Sequence, residues 1–133
     1  MDIERNKAVV RRFVEEIFVG GSHDAVDELV DERMIAHTWP PTGHPREDLK
    51  AAIDRVSGAL ADAEFTIDDL IAEGDRVAAR LTTAATQVGE FMGLPPSGKR
   101  YSIEEIHVFR LRDGKVVEHW GGPHCQKGLG LIQ

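Results

Sequence analysis

The stretch from Gly89 to Trp120 reads GEFMGLPPSGKRYSIEEIHVFRLRDGKVVEHW. A Gly/Pro-rich loop runs to Gly98. Tyr101 to Arg112 then alternates as a strand, Asp113-Gly114 is a strong tight-turn signal, and Lys115 to Trp120 alternates back, which predicts a β-hairpin. In a strand, residues i and i+2 share a face about 6.5–7 Å apart. Ile103, Glu105, His107 and Phe109 therefore form one face of the first strand, and Ser102, Glu104, Ile106, Val108 and Arg110 form the other. Both faces carry apolar residues, so alternation leaves open which one turns inward. Ionisable residues recurring among apolar ones on a sheet face suit the lining of a pocket better than a plain core.

Upstream, Phe65 and Ile67 alternate with polar residues, Leu70-Ile71 marks a bulge or a change of face, and Gly74-Asp75 is a turn. Val77, Ala79, Leu81, Thr83 and Ala85 then continue the alternation. Before these strands come helical patterns. Asp2 to Val19 carries Val10, Phe13, Val14, Ile17 and Phe18 at the 3/4 spacing of one buried stripe and stops at Gly20-Gly21. Ser22 is a good N-cap for a short helix with Val26, Leu29 and Val30. Met34 to Thr38 reads as a brief extended piece, followed by a Trp39–Gly43 turn. Pro45 suits the first turn of a third helix burying Leu49, Ile53, Val56 and Leu60. Helices first, then an antiparallel meander, predicts an α+β fold: N-terminal helices packed on a curved antiparallel sheet, a cone whose interior is a natural ligand cavity.

The 133 residues predict one domain, long enough to bury a core without disulfide or metal. Cys125 is the only cysteine, which fits a reducing, cytoplasmic location. No apolar run reaches the roughly 20 residues of a membrane span, and the N-terminus lacks signal-peptide order. A net charge of −7 disfavours nucleic acid and anionic membranes as partners. The six histidines form no HxH pair and no HExxH, and there is no cysteine cluster, so no metal pattern emerges. Nucleophile-elbow, P-loop and dinucleotide fingerprints are also missing.

GDRVAARLTT and GEFMGLPPSGKRYSIEEIHVFRLRDGKVVEHW, with VVRRFVEEIF and MIAHTWPPTGHPREDLK upstream, resemble the SnoaL-like polyketide cyclases, or ester cyclases, of the NTF2-like superfamily. The resemblance covers nearly the whole chain. It rests on turn and sheet chemistry, so it supports fold more than reaction. It implies an α+β cone, an oligomer (dimer or tetramer), no metal and no organic cofactor. It also implies a small hydrophobic carbonyl compound as partner, and intramolecular aldol cyclisation or a related isomerisation as activity. Such chemistry needs little machinery, because a carbon between carbonyls is already acidic. One carboxylate or imidazole moves protons, and polar neighbours steady the enolate.

The resemblance favours the His107 face as the pocket face and makes His107 and Glu105 the candidate imidazole and carboxylate. Cyclases of this type tend to carry an acid/base aspartate just beyond the terminal EHW strand. Here Gly121, Gly122, Pro123 and His124 follow, and no Asp or Glu comes after Glu118. His124 is the candidate replacement, since imidazole titrates near neutral pH. His37 and Trp39 are expected near the cavity mouth. Phe91, Met92, Trp120 and Phe13 are candidate pocket walls. Glu118 and His119 cannot both point inward without a bulge. Arg80, on the face opposite Val77, Ala79 and Leu81, suits a cross-strand ion pair on a solvated or interface face; a buried Arg80 would need a carboxylate partner, Glu105 or Asp69. The sole asparagine, Asn6, and the sole tyrosine, Tyr101, disfavour the epoxide-hydrolase and steroid-isomerase variants of this fold. Two further readings compete with the enzyme: a non-catalytic small-molecule-binding domain, and an interaction domain whose sheet face serves only dimerisation.

Overall fold

The structure, a computed structural model, describes residues 2–37, 42–91 and 93–123. Its helices are α1 (Ile3–Arg12), continued by a π-helical segment (Phe13–Val19), α2 (His23–Leu29) and α3 (Pro45–Ala59). Its strands are β1 (Val30–Ala36), β2 (Leu60–Glu73), β3 (Arg76–Gln87), β4 (Arg100–Arg112) and β5 (Lys115–Pro123). The sheet order is β1-β5-β4-β3-β2.

The helix starts follow their caps. The Asp2 carboxylate accepts from the Arg5 amide at 2.9 Å, the Ser22 hydroxyl accepts from the Ala25 amide at 3.1 Å, and Pro45 opens α3. The first helix does not stay α-helical as its stripe suggests. From Phe13 the bonds lengthen to the i→i+5 pattern, which ends with the Gly20 amide on the Glu15 carbonyl at 3.1 Å. That spacing brings Phe13 and Phe18 together on one side, with ring centroids 5.1 Å apart and edge to face. Phe13 meets Phe109 of β4 at 5.0 Å, in a core with Val10, Ile17, Leu29, Leu49, Leu81 and Leu111.

Asp113 and Gly114 both have positive φ, 52° and 77°, as the tight two-residue hairpin between β4 and β5 requires. Three features differ from the sequence reading. The short extended piece becomes β1 and pairs parallel with β5, so the sheet is mixed rather than antiparallel throughout. The pairing covers the otherwise open edge of β5. Second, β5 runs through the two glycines to Pro123, which pairs with Glu105. Third, α3 stops at Ala59, so Leu60 opens β2 instead of closing the helix, and Val56 is 39% exposed.

Candidate active site

Burial along β4 alternates strictly and decides the face that the sequence left open. Ile103, Glu105, His107 and Phe109 are buried, while Glu104 and Ile106 on the opposite side are exposed. The inner face looks into a cavity of about 420 Å³, within the usual range for small-molecule sites. Its walls are mainly apolar: Phe18 from the π segment, Ile53 and Val56 from α3, Phe65 from β2, and Phe91 from the loop before β4. One end is polar, formed by Thr83, Glu105, His107 and His119.

These four side chains form a continuous chain of hydrogen bonds. The Thr83 hydroxyl donates to Oε2 of Glu105, and Oε1 of the same carboxylate lies 3.0 Å from Nε2 of His107. Nδ1 of His107 is 2.8 Å from Nε2 of His119. All four residues are buried, at 3%, 7%, 3% and 2% exposure in chain order. Phe18 lies over the His107 ring at 5.0 Å, so the aromatic pair created by the π segment shields the imidazole.

His119 was not a candidate from the sequence. In β5, Val116 faces Leu111 and Glu118 faces Arg110, which leaves Val117 as the extra residue of a β-bulge. The bulge shifts the parity, so Val116 and His119, three apart, both point inward at 0% and 2% exposure. Burial, reinforced by the neighbouring His107 and His37 rings, pushes the His119 pKa from 6.5 down to about 3. His119 is therefore neutral at neutral pH.

The depressed value has a consequence for stability. Between about pH 6.5 and about pH 3 the unfolded chain binds the proton that folded His119 refuses, so stability falls as pH drops through that window. Above about pH 6.5 neither state is charged and the effect vanishes. Relative to His119→Gln, the wild type should lose up to about 1.4 kcal/mol per pH unit inside the window. Urea unfolding at a series of pH values checks this; parallel stability curves for the two proteins would contradict it.

The other candidates divide by location. Phe91 lines the cavity. Phe13, expected as a pocket wall, is core, because the π segment turns Phe18 to the cavity and leaves Phe13 against Phe109. His37 and Trp120 are not in the cavity, because Trp120 follows the inward-facing His119 and so projects from the other side of β5. Their rings stack at 5.1 Å and 7°, with the Arg76 guanidinium 5.3 Å from the Trp120 ring. His37 Nε2 lies 2.7 Å from Glu118, and Arg110 donates to the same carboxylate at 2.9 Å; together they hold the Glu118 pKa below the usual carboxylate range. Arg80 donates to Asp69 at 2.8 Å on the exposed face, not to Glu105. Trp39, Met92 and His124 lie outside the described residues. Among the described residues, no three His, Cys, Asp or Glu side chains are grouped so as to hold a metal ion, and no helix is long and apolar enough to cross a membrane.

The structure is thus an α+β fold, helices on a curved mixed sheet, around an apolar cavity that ends in the hydrogen-bonded Thr83, Glu105, His107 and His119. Residues 8–124 match the family model of the SnoaL-like polyketide cyclases, and the chain belongs to that family. It is 31% identical over 121 residues to the aklanonic acid methyl ester cyclase of Streptomyces galilaeus, covering 90% of this chain and 84% of that one. The enzyme of the same name from Streptomyces peucetius is 30% identical over 121 residues, covering 86% and 81%. Among solved structures, TsrD from Streptomyces laurentii superposes with a TM-score of 0.86 at 28% identity, covering 99% of each chain.

Proposed function

We propose that this protein is a cofactor-free cyclase acting on a small hydrophobic carbonyl compound, with Glu105 as the proton acceptor and His107 as its partner. The observation that carries the reading is a buried carboxylate and imidazole, 3.0 Å apart, at the polar end of an apolar cavity. Glu105 takes the proton from a carbon flanked by carbonyls, and the C–H electron pair passes into an enolate. The enolate carbon attacks a second carbonyl of the same molecule, forming the ring C–C bond, and the proton is returned to the resulting alkoxide. The apolar walls exclude water and hold the flexible chain folded, which supplies the proximity term. The ester-cyclase names of the relatives support an ester-bearing polyketide as substrate.

The test is exchange of the acidic C–H of an aromatic β-ketoester with deuterated solvent, followed by NMR. Wild type should accelerate exchange, and His107→Ala should lose the acceleration while keeping its fold. Equal exchange by the two proteins would remove His107 from the mechanism.

A second reading, a non-catalytic binding domain, is favoured by one observation: no Asp or Glu follows Glu118. It predicts that the β-ketoester binds without exchanging. We further propose that the chain acts as one domain, in the cytoplasm, as a homo-oligomer. The oligomer is what the resemblance to the SnoaL-like cyclases implies, and a monomer in analytical ultracentrifugation would remove it.

A further inference from the structure

We infer that His119 is a positioning residue for His107, donating to its Nδ1 when that imidazole is neutral and accepting from it when it is an imidazolium. The inference rests on the reading of Glu105 and His107 above and goes beyond it, because it assigns a residue that neither the motif nor alternation brings forward.

An ionised carboxylate only accepts. The Thr83 hydroxyl and Nε2 of His107 both point at Glu105, so Nε2 of His107 carries a hydrogen when Glu105 is ionised. That leaves Nδ1 of His107, which faces Nε2 of His119 at 2.8 Å. Two bare ring nitrogens would repel at that distance, so one hydrogen lies between them. If His107 is neutral, the hydrogen belongs to Nε2 of His119. If His107 is an imidazolium, the hydrogen is its own, and His119 carries its single hydrogen on Nδ1. Both arrangements keep every bond of the chain. His107 can thus take up and release a proton without breaking any bond of the Thr83–Glu105–His107–His119 chain.

For this to work His119 must stay neutral, and its surroundings favour that. Phe109 packs on its ring at 5.0 Å. The side chains that α3, β2 and the π segment contribute to the cavity are all uncharged. The titratable groups facing the imidazole pair are Glu105 on the same strand as His107, and His37 from the β1 side. A histidine serving only as core filling would need neither the short nitrogen–nitrogen contact nor a place in line with the carboxylate.

The test uses full-length wild-type protein with ¹⁵N-labelled histidine. Two-bond ¹⁵N–¹H couplings are followed from about pH 5 to about pH 8, the range in which histidine ordinarily titrates. We expect His119 to carry one hydrogen throughout, on Nδ1 wherever His107 holds two and on Nε2 wherever His107 holds one. Should His107 hold a single state over the range, His119 must hold the complementary tautomer. A doubly protonated His119, or one tautomer on both sides of a His107 transition, overturns the inference.

A second arm reads β-ketoester exchange. His119→Leu should slow it about 10- to 100-fold, the usual size for removing the partner of a functional imidazole. His119→Gln, whose amide can donate or accept, should recover most of the rate, with rates compared at saturating probe so that any change in affinity is read separately. Equal rates for Leu and Gln also overturn the inference. A wild type with no exchange at all defeats the functional reading alone, since the tautomers still decide the role of His119.

Discussion

Glu105→Gln is expected to lower proton transfer to and from a bound carbonyl compound about 10²- to 10⁴-fold, the usual worth of a positioned general base. The substitution nearly preserves shape. The amide still fills the space between Thr83 and His107, so folding and probe binding should survive. What disappears is the basic lone pair. The Glu105 carboxylate accepts from Thr83 on one oxygen and His107 on the other, and each oxygen has two acceptor sites, so one on each remains for a substrate proton. Measuring exchange and affinity separately checks this. A rate within a few-fold of wild type would move the base elsewhere and leave Glu105 as a structural partner of His107.

Gly121→Ala should have the largest effect on the fold. Gly121 pairs with His107 across β4 and β5 at φ 94°. A Cβ there would stand 2.1 Å from the Ile106 carbonyl oxygen and 3.1 Å from the His107 Cα. Both are backbone atoms of β4, which is paired at these residues with β3 on one edge and β5 on the other, so it cannot yield cheaply. The positive φ alone costs about 1–3 kcal/mol. With the clash added, a loss of at least about 3 kcal/mol, or roughly 10 °C in Tm, is expected. Gly74→Ala is the control, because Gly74 also has positive φ, 59°, but nothing lies within 4 Å of its added Cβ. Equal losses for the two variants would show that backbone conformation, and not close approach, decides the cost.

Gly121 also illustrates what a sequence conceals. Two adjacent glycines after Trp120 read naturally as the end of a strand. In the structure they continue it, and at Gly121 only a residue without Cβ can lie that close to the Ile106 carbonyl. The hairpin, the Ser22 cap and the α+β order were legible because each has a local signal: a turn dipeptide, a hydroxyl before a stripe, a change of period. The inward face of β4 was not, since Ile106 and Val108 make the outer face nearly as apolar as the inner one. The outer face keeps those residues at a surface where Val108 pairs with Trp120. His119 was hidden for a different reason. Alternation assigns it to the side of Val117, and the extra residue that reverses the assignment is visible only in the pairing with Arg110 and Leu111. Phe18 and Phe13 exchanged roles through the same kind of local irregularity, the π segment.

The lack of an aspartate just beyond Trp120 does not remove the proposed proton chemistry, which rests on Glu105 and His107 on the inner face of β4 and on His119 of β5. None of the three depends on a carboxylate further along the chain.

The most direct measurement is deuterium exchange at the acidic carbon of an aromatic β-ketoester, with binding recorded in the same samples for wild type and Glu105→Gln. The account predicts that both proteins bind the ester and that only wild type exchanges it faster than buffer. A wild type that binds the ester and leaves its C–H untouched would contradict it, and the cavity would then be that of a binding protein.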